Sequence, residues 1–174
     1  VDSVVTGDDL DIYTDLGGDI ILIGSTLIAA DSIDLETYEA GTLRIEDTKL
    51  QARSQIYIYE DYSGEVTITG SELRTTDGDI YMQVYTGPLT ITGSTLEAEG
   101  ASGYIEIYSQ EATLTIADNP SLKAGSYLEI AASGGWSSLP GSLPAANLIV
   151  RRNGEISAGT DLEFLSDGDL TVEE

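Results

Sequence analysis

Apolar and polar residues alternate along this chain in short runs, as in Thr67-Ile68-Thr69, Ile56-Tyr57-Ile58-Tyr59 and Ile105-Glu106-Ile107-Tyr108. A period of two predicts strands with one face turned inward and the other in water. Nowhere does a helical stripe persist. The runs recur at a fixed distance. The phrase Gly-x-aliphatic-x-aliphatic begins at Gly18, Gly41, Gly64 and Gly87, each 23 residues after the last, and degenerate copies begin at Ala112, Ala146 and Gly168. Within a unit the apolar offsets repeat as well: Leu43, Ile45, Leu50, Ala52, Ile56 and Ile58 match Leu89, Ile91, Leu96, Ala98, Ile105 and Ile107. Each unit therefore reads as three short strands.

Turn-forming residues separate the strands at recurring places: Gly24-Ser25-Thr26, Gly70-Ser71-Glu72 and Gly93-Ser94-Thr95, with Asp47-Thr48-Lys49 as a substitute. A unit this small cannot bury its inward face alone, so successive units must stack. Stacking equivalent strands in parallel gives an all-β fold, a parallel β-helix or β-solenoid, with about 23 residues and three strands per coil. A β-sandwich would explain the alternation but not the 23-residue identity of the offsets. Residues 1–174 are read as one solenoid domain with incomplete first and last coils and one loop insertion near residues 132–146. The apolar spacing and Gly-Ser corners, from about Gly7 to Val172, resemble the right-handed parallel β-helices of bacterial haemagglutinin-type adhesins and other secreted passenger domains. That resemblance implies an exported, cell-surface or fibrous protein.

A solenoid repeats each outward position one coil higher, about 4.8 Å away, so like residues form columns. On the third strand of each unit one outward column reads Asp11, Asp34, Tyr57, Tyr81, Glu106, Glu129 and Glu163. The next reads Tyr13, Glu36, Tyr59, Gln83, Tyr108, Ala131 and Leu165. Ten tyrosines accompany one tryptophan and one phenylalanine. The outward rings of Tyr13, Tyr57, Tyr59, Tyr81 and Tyr108 make a flat face suited to glycans or a neighbouring filament. Stacked carboxylates repel, which predicts a weak dependence on divalent cations or high salt, with no other cofactor. Threonines at 67, 69, 90, 92 and 115 form short ranks that resemble ice-binding solenoids, interrupted by Arg44, Glu46 and Arg151. The inward positions are Ile, Leu and Val, with Ala29, Ala52, Ala98, Ala124 and Ala158 at narrow corners.

Composition narrows the function classes. The 174 residues include no cysteine and no histidine, which removes Cys/His zinc sites, Cys/His and Ser/His/Asp triads, thiol chemistry and imidazole bases. Thirty-one Asp and Glu against seven Lys and Arg give a net charge of -24, so nucleic acid and anionic membranes are poor partners, and no apolar run is long enough for membrane insertion. The seven cations show no grouping beside an acidic calcium site such as a polysaccharide lyase on this fold would need. No enzymatic activity is expected.

Two features depart from the repeat. Between Ala112 and Ala146 the interval grows to 34 residues, and the surplus contains Trp136, Leu139 and Leu143, an apolar tip expected either to fold back on the coils or to dock on another subunit. The ends are also informative. Val4 and Val5 read as a second strand and Leu10 with Ile12 as a third, with no first strand before them. Leu170 and Val172 supply a first strand at the far end. Joining the two would complete a shared coil between successive molecules, a contact that does not close and so propagates. With a chain that begins at Val1 and carries no leader, the reading is an acidic, secreted structural protein. It is extracellular or at the cell surface, and its partner is itself, in a self-assembling homopolymer with Val4, Val5, Leu10, Ile12, Leu170 and Val172 at the interface. The alternative is an adhesin-like or carbohydrate-binding rod, and a more remote one an ice-binding surface.

Overall fold

The computed structural model describes residues 3–62, 64–133, 146–151 and 154–173. Every regular element among them is a strand. In chain order these are β1 (Val4–Gly7), β2 (Leu10–Thr14), β3 (Ile20–Ile23), β4 (Thr26–Ala29), β5 (Ser32–Thr37), β6 (Leu43–Glu46), β7 (Lys49–Ala52), β8 (Gln55–Glu60), β9 (Val66–Thr69), β10 (Glu72–Thr75), β11 (Asp79–Val84), β12 (Leu89–Thr92), β13 (Thr95–Ala98), β14 (Ile105–Gln110), β15 (Leu114–Ala117), β16 (Ser121–Ala124), β17 (Tyr127–Ser133), β18 (Leu148–Arg151), β19 (Glu155–Ala158), β20 (Asp161–Ser166) and β21 (Leu170–Glu173). Strands three apart pair in parallel, so the chain winds through three sheets of seven strands each. Sheet A runs from β1 to β19, sheet B from β2 to β20 and sheet C from β3 to β21. This is a β-solenoid of about seven turns, with the 23-residue period that the glycine phrase marks out.

Pairing is residue for residue. Ile33, Ile56 and Ile80 are successive partners in sheet B, as are Leu50, Leu73 and Leu96 in sheet A and Ile45, Ile68 and Ile91 in sheet C. All nine are fully buried. Side chains from the three sheets meet along the axis and form one continuous apolar core, each large residue contributing about 1.5–3 kcal/mol on burial. Ala29, Ala52, Ala98 and Ala124 are buried at the narrow end of sheet A as expected, while Thr75 takes the same column and donates its hydroxyl to the Gly78 carbonyl at 2.6 Å.

The corners explain why turn residues recur. Gly24, Asp47, Gly70, Gly93 and Asp118 all have φ between 47° and 58°, the left-handed conformation that glycine, aspartate and asparagine reach most cheaply. The next residue in three successive coils carries a buried hydroxyl. Ser94 Oγ accepts the Ser71 amide at 3.1 Å, Ser71 Oγ accepts the Thr48 amide at 3.1 Å, and Thr48 Oγ1 accepts the Ser25 amide at 3.2 Å. Each hydroxyl donates in turn to a carbonyl two residues earlier in its own coil. A column of small hydroxyls thus satisfies backbone groups that the tight turn removes from the ladder.

The glycine phrase has a different cause. A Cβ at Gly41 would lie 2.2 Å from the Gly18 carbonyl oxygen, at Gly64 2.0 Å from that of Gly41, and at Gly87 1.2 Å from that of Gly64. At these three glycines the turn from sheet B to sheet C brings successive backbones too close for a side chain, whereas Ala112 and Ala146 take the equivalent place in two later coils. In the one longer unit, β17 continues to Ser133 and Ala146 is already buried, so the insertion is narrower than residues 132–146. Trp136, Leu139 and Leu143 lie outside the described residues.

Gly87→Ala is expected to cost at the upper end of the about 1–3 kcal/mol typical of overpacking, because backbone rather than a side chain must move. Gly93→Asn, at a position equivalent to that of Asp47, is expected to cost clearly less. Chemical denaturation of the two variants against the parent chain, followed by circular dichroism, checks the order.

Candidate functional site

The outward face of sheet B carries most of the chemistry. Register places Asp11, Asp34, Tyr57, Tyr81, Glu106, Glu129 and Glu163 in one column, and Tyr13, Glu36, Tyr59, Gln83, Tyr108, Ala131 and Leu165 in the other, in the order read from the sequence. Tyr57, Tyr59, Tyr81 and Tyr108 are half-buried against their neighbours, whereas Tyr13 is two-thirds exposed. The tyrosines are not an even row. Tyr59 stands at the centre of a cluster, stacked on Tyr57 and touching Tyr38 and Tyr85, each with ring centroids 5.8 Å away. Tyr81 meets Tyr104 edge to face at 4.7 Å.

Carboxylates lie among these rings and accept from them. Tyr38 Oη donates to Glu36 at 2.5 Å, and Tyr59 Oη donates to Asp61 at 2.9 Å. Tyr127 Oη lies 2.8 Å from Glu129 and 2.9 Å from Glu163, so one phenolic proton serves two carboxylates on adjacent coils. Hydrogen bonding to Glu36 holds the Tyr38 phenol up at about 12, and burial together with the Asp61 bond raises Tyr59 further. These phenols stay neutral and donating at neutral and mildly alkaline pH. Sequence reading selected the five outward tyrosines but missed Tyr38, Tyr85, Tyr104 and Tyr127, which precede or follow the central run of their strands. For Tyr38, Tyr104 and Tyr127 an acidic residue two positions away, as in Glu36-Thr37-Tyr38 and Tyr127-Leu128-Glu129, was the available signal, and Tyr85 has none.

Like charges do meet along the column. Burial and the neighbouring Asp11 push the Asp34 carboxyl up, and burial and Glu129 do the same for Glu106. A third carboxyl, Glu60, is fully buried at the inward end of β8. Its Oε1 accepts the Tyr62 and Gly64 amides, both at 2.7 Å, and so caps the turn into sheet C. Its Oε2 and the Oγ1 of its register partner Thr37 are buried with no hydrogen-bond partner. Burial raises the Glu60 pKa against those two amide bonds. Parity with Ile56 and Ile58 places Glu60 on the inward face, but nothing along the chain shows the two amides that let a carboxylate stand there.

The residues assigned to the polymer interface all lie on the end coils. Val5 is the register partner of buried Leu27 and points inward, while Val4 points outward. Leu10 and Ile12 begin sheet B and are half-buried. Leu170 and Val172, the partners of buried Leu148 and Val150, are 50% and 69% exposed. Leu162 and Phe164 belong with them, as the inward residues of β20 opposite Leu128 and Ile130. The threonines at 67, 90 and 115 are successive partners on sheet C, bounded by Arg44 on one side and Ile149 on the other.

Raised carboxyl values mean that the folded chain binds protons more tightly than the unfolded one. The resulting stability is complete below the ordinary carboxyl range and is lost as pH rises through the raised folded-state values of Asp34, Glu60 and Glu106. The melting temperature is therefore expected to be higher near about pH 5 than near about pH 7.5. Glu60→Gln, which keeps the Oε1 acceptor and removes the buried charge, is expected to raise the value at neutral pH and to narrow the difference. Thermal unfolding of parent and variant at both pH values measures this.

Comparison of the chain with protein-family models, with curated proteins and with solved structures gives no match.

Proposed function

We propose that the chain is an extracellular structural protein whose solenoid stacks end to end on further copies of itself, forming a filament. The observation that carries this reading is the pair of end coils. Within the chain every inward position is covered by its partner one coil away, and Leu43, Ile58, Leu73 and Ile107 are fully buried. At the ends the same columns lie open: Leu162, Leu170 and Val172 are 42%, 50% and 69% exposed on one side, and Val5 is 43% exposed on the other.

The open columns are mutually compatible. Extending each ladder by one strand sets β1, β2 and β3 of one copy on β19, β20 and β21 of the next. Leu10 then lies on Leu162, Ile12 on Phe164 and Leu22 on Val172, each an apolar pair of the kind that fills the interior columns. The last strand of sheet C in one copy and the first strands of sheets A and B in the next together complete a shared coil. Backbone groups on both edges gain partners at the same time, as in β-strand addition. Because top and bottom surfaces differ, the contact is heterologous and continues without closing. Seven coils at about 4.8 Å give a rise of about 33 Å per subunit.

A second reading is favoured by the face of sheet B, where clustered tyrosine rings stand among carboxylates. On this reading the chain is a rod of the haemagglutinin-type adhesins that binds glycans through Tyr57, Tyr59, Tyr81 and Tyr108, sugar rings stacking on phenols and hydroxyls donating to carboxylates.

Electron cryo-microscopy of the purified chain at high concentration in about 1 M sodium chloride, where like charges are screened, compared with a Val172→Lys, Leu162→Lys variant, separates the two. Filaments with layer lines near about 4.8 Å and about 33 Å, lost in the variant, are the expected result. Isolated short rods in both samples would overturn the filament and leave glycan binding by the rod as the reading to measure.

A further inference from the structure

The cations of this chain are confined to its middle. No Lys or Arg precedes Arg44 or follows Arg152. Coil 1 (β1 to β3) therefore carries Asp8, Asp9, Asp11, Asp15 and Asp19 with no positive charge, and coil 7 (β19 to β21) carries Glu155, Asp161, Glu163, Asp167, Asp169 and Glu173, likewise with none. Among the described residues, ion pairs cross four junctions between successive coils. Arg53 reaches Asp31 at 3.5 Å, Lys49 reaches Glu72 at 3.0 Å, Arg74 lies between Glu97 and Glu99, and Lys123 and Arg151 hold Glu155 and Glu173 at 3.0 and 3.1 Å. The last two pairs belong to the junction of coils 6 and 7, so the two charges of coil 7 that have cations have them on the inner side.

We infer that the end-to-end contact is apolar in its core and like-charged along its sheet B rim, so that ionic strength switches assembly on. The inference rests on the filament reading, and it names what regulates that contact. In the extended register Glu163 of one copy stands against Asp11 of the next, continuing Glu106, Glu129 and Glu163 into Asp11 and Asp34 as five carboxylates in a row. Sheet B already contains this situation inside the chain, where burial first and then the neighbouring carboxylate, Asp11 for Asp34 and Glu129 for Glu106, raise the pKa. Those coils are covalently joined, so repulsion lowers their stability without separating them. Between molecules nothing but the contact itself opposes the repulsion, and it enters the association constant directly. Column neighbours about 4.8 Å apart lie well inside the screening length of about 30 Å at 0.01 M salt, and beyond that of about 3 Å at 1 M.

The experiment is sedimentation velocity at fixed protein concentration across sodium chloride from about 0.01 M to about 1 M, on the parent chain, Asp11→Lys, Glu163→Lys and the double variant, with circular dichroism confirming the fold of each. For the parent, polymer is expected only toward high salt, with the apparent association constant rising at least about tenfold across the series. Either single reversal places a lysine against a carboxylate at every contact and is expected to move the onset to lower salt. The double variant places lysine against lysine and is expected to move it back up, although its net negative charge is the smallest of the four. A salt-independent onset, or onsets that follow net charge so that the double variant polymerises most readily, would overturn the inference while leaving filaments standing. Absence of polymer from all four chains at every salt concentration would overturn the stacking reading itself.

Discussion

Everything in this molecule depends on the parallel ladder that ties each coil to the next in unbroken register. Because Ile56 pairs with Ile33 below and Ile80 above, a residue type placed once is surrounded by its own equivalents. That single constraint selects apolar β-branched and leucine columns inside, where identical shapes stack without voids. It selects small residues where the three sheets converge, and glycine where backbones nearly touch, as at Gly64 and Gly87. The buried hydroxyl column of Thr48, Ser71 and Ser94 follows from the same logic. A polar group is tolerable in a buried column when the coils above and below offer the complementary backbone groups.

The constraint acts less favourably on charge. A column of carboxylates cannot relax by moving apart, since the ladder holds its members at one coil's spacing. The chain contends with this in several ways. Tyrosines interrupt the acidic column at positions 57 and 81, and a phenol at Tyr127 donates to the two carboxylates of Glu129 and Glu163. Cations bridge coils on sheets A and C but are absent from the outer face of sheet B. The face that results sets aromatic rings among carboxylates. It is also continuous from end to end, which links the surface of a single rod to the rim of the contact proposed between rods.

Much of this was legible in the sequence, and the limits of legibility have a physical shape. Columns formed by residues that alternate with period two, such as Asp34 with Tyr57 or Thr67 with Thr90, were recovered in order because register in a solenoid equals the repeat length. Tyr38, Tyr85, Tyr104 and Tyr127 were missed because they stand at strand ends, where alternation no longer says which way a side chain points. Glu60 was missed for a different reason, since alternation with Ile56 and Ile58 points it inward but offers no account of a carboxylate there. Its column contains Thr37, Val84 and Ser109, and a charged residue among them becomes intelligible only once the Tyr62 and Gly64 amides are seen to reach its carboxylate. The trimming of the insertion to begin after Ser133 likewise required the ladder, since β17 gains its last residues by pairing with Gln110 and its neighbours rather than through any signal of its own.

By itself, then, the sequence determined the three-strand coil, the seven-fold repetition, the inward columns and the distribution of charge, because each is a property of spacing and spacing is written along the chain. Only the tertiary structure decided which tyrosines cluster, which carboxylates accept from one phenol, that Glu60 is buried with an unpartnered oxygen, and that the glycines of the repeat yield to neighbouring carbonyls rather than to turn geometry. Those outcomes depend on distances between residues a full coil apart, and such distances exist only once the strands have stacked.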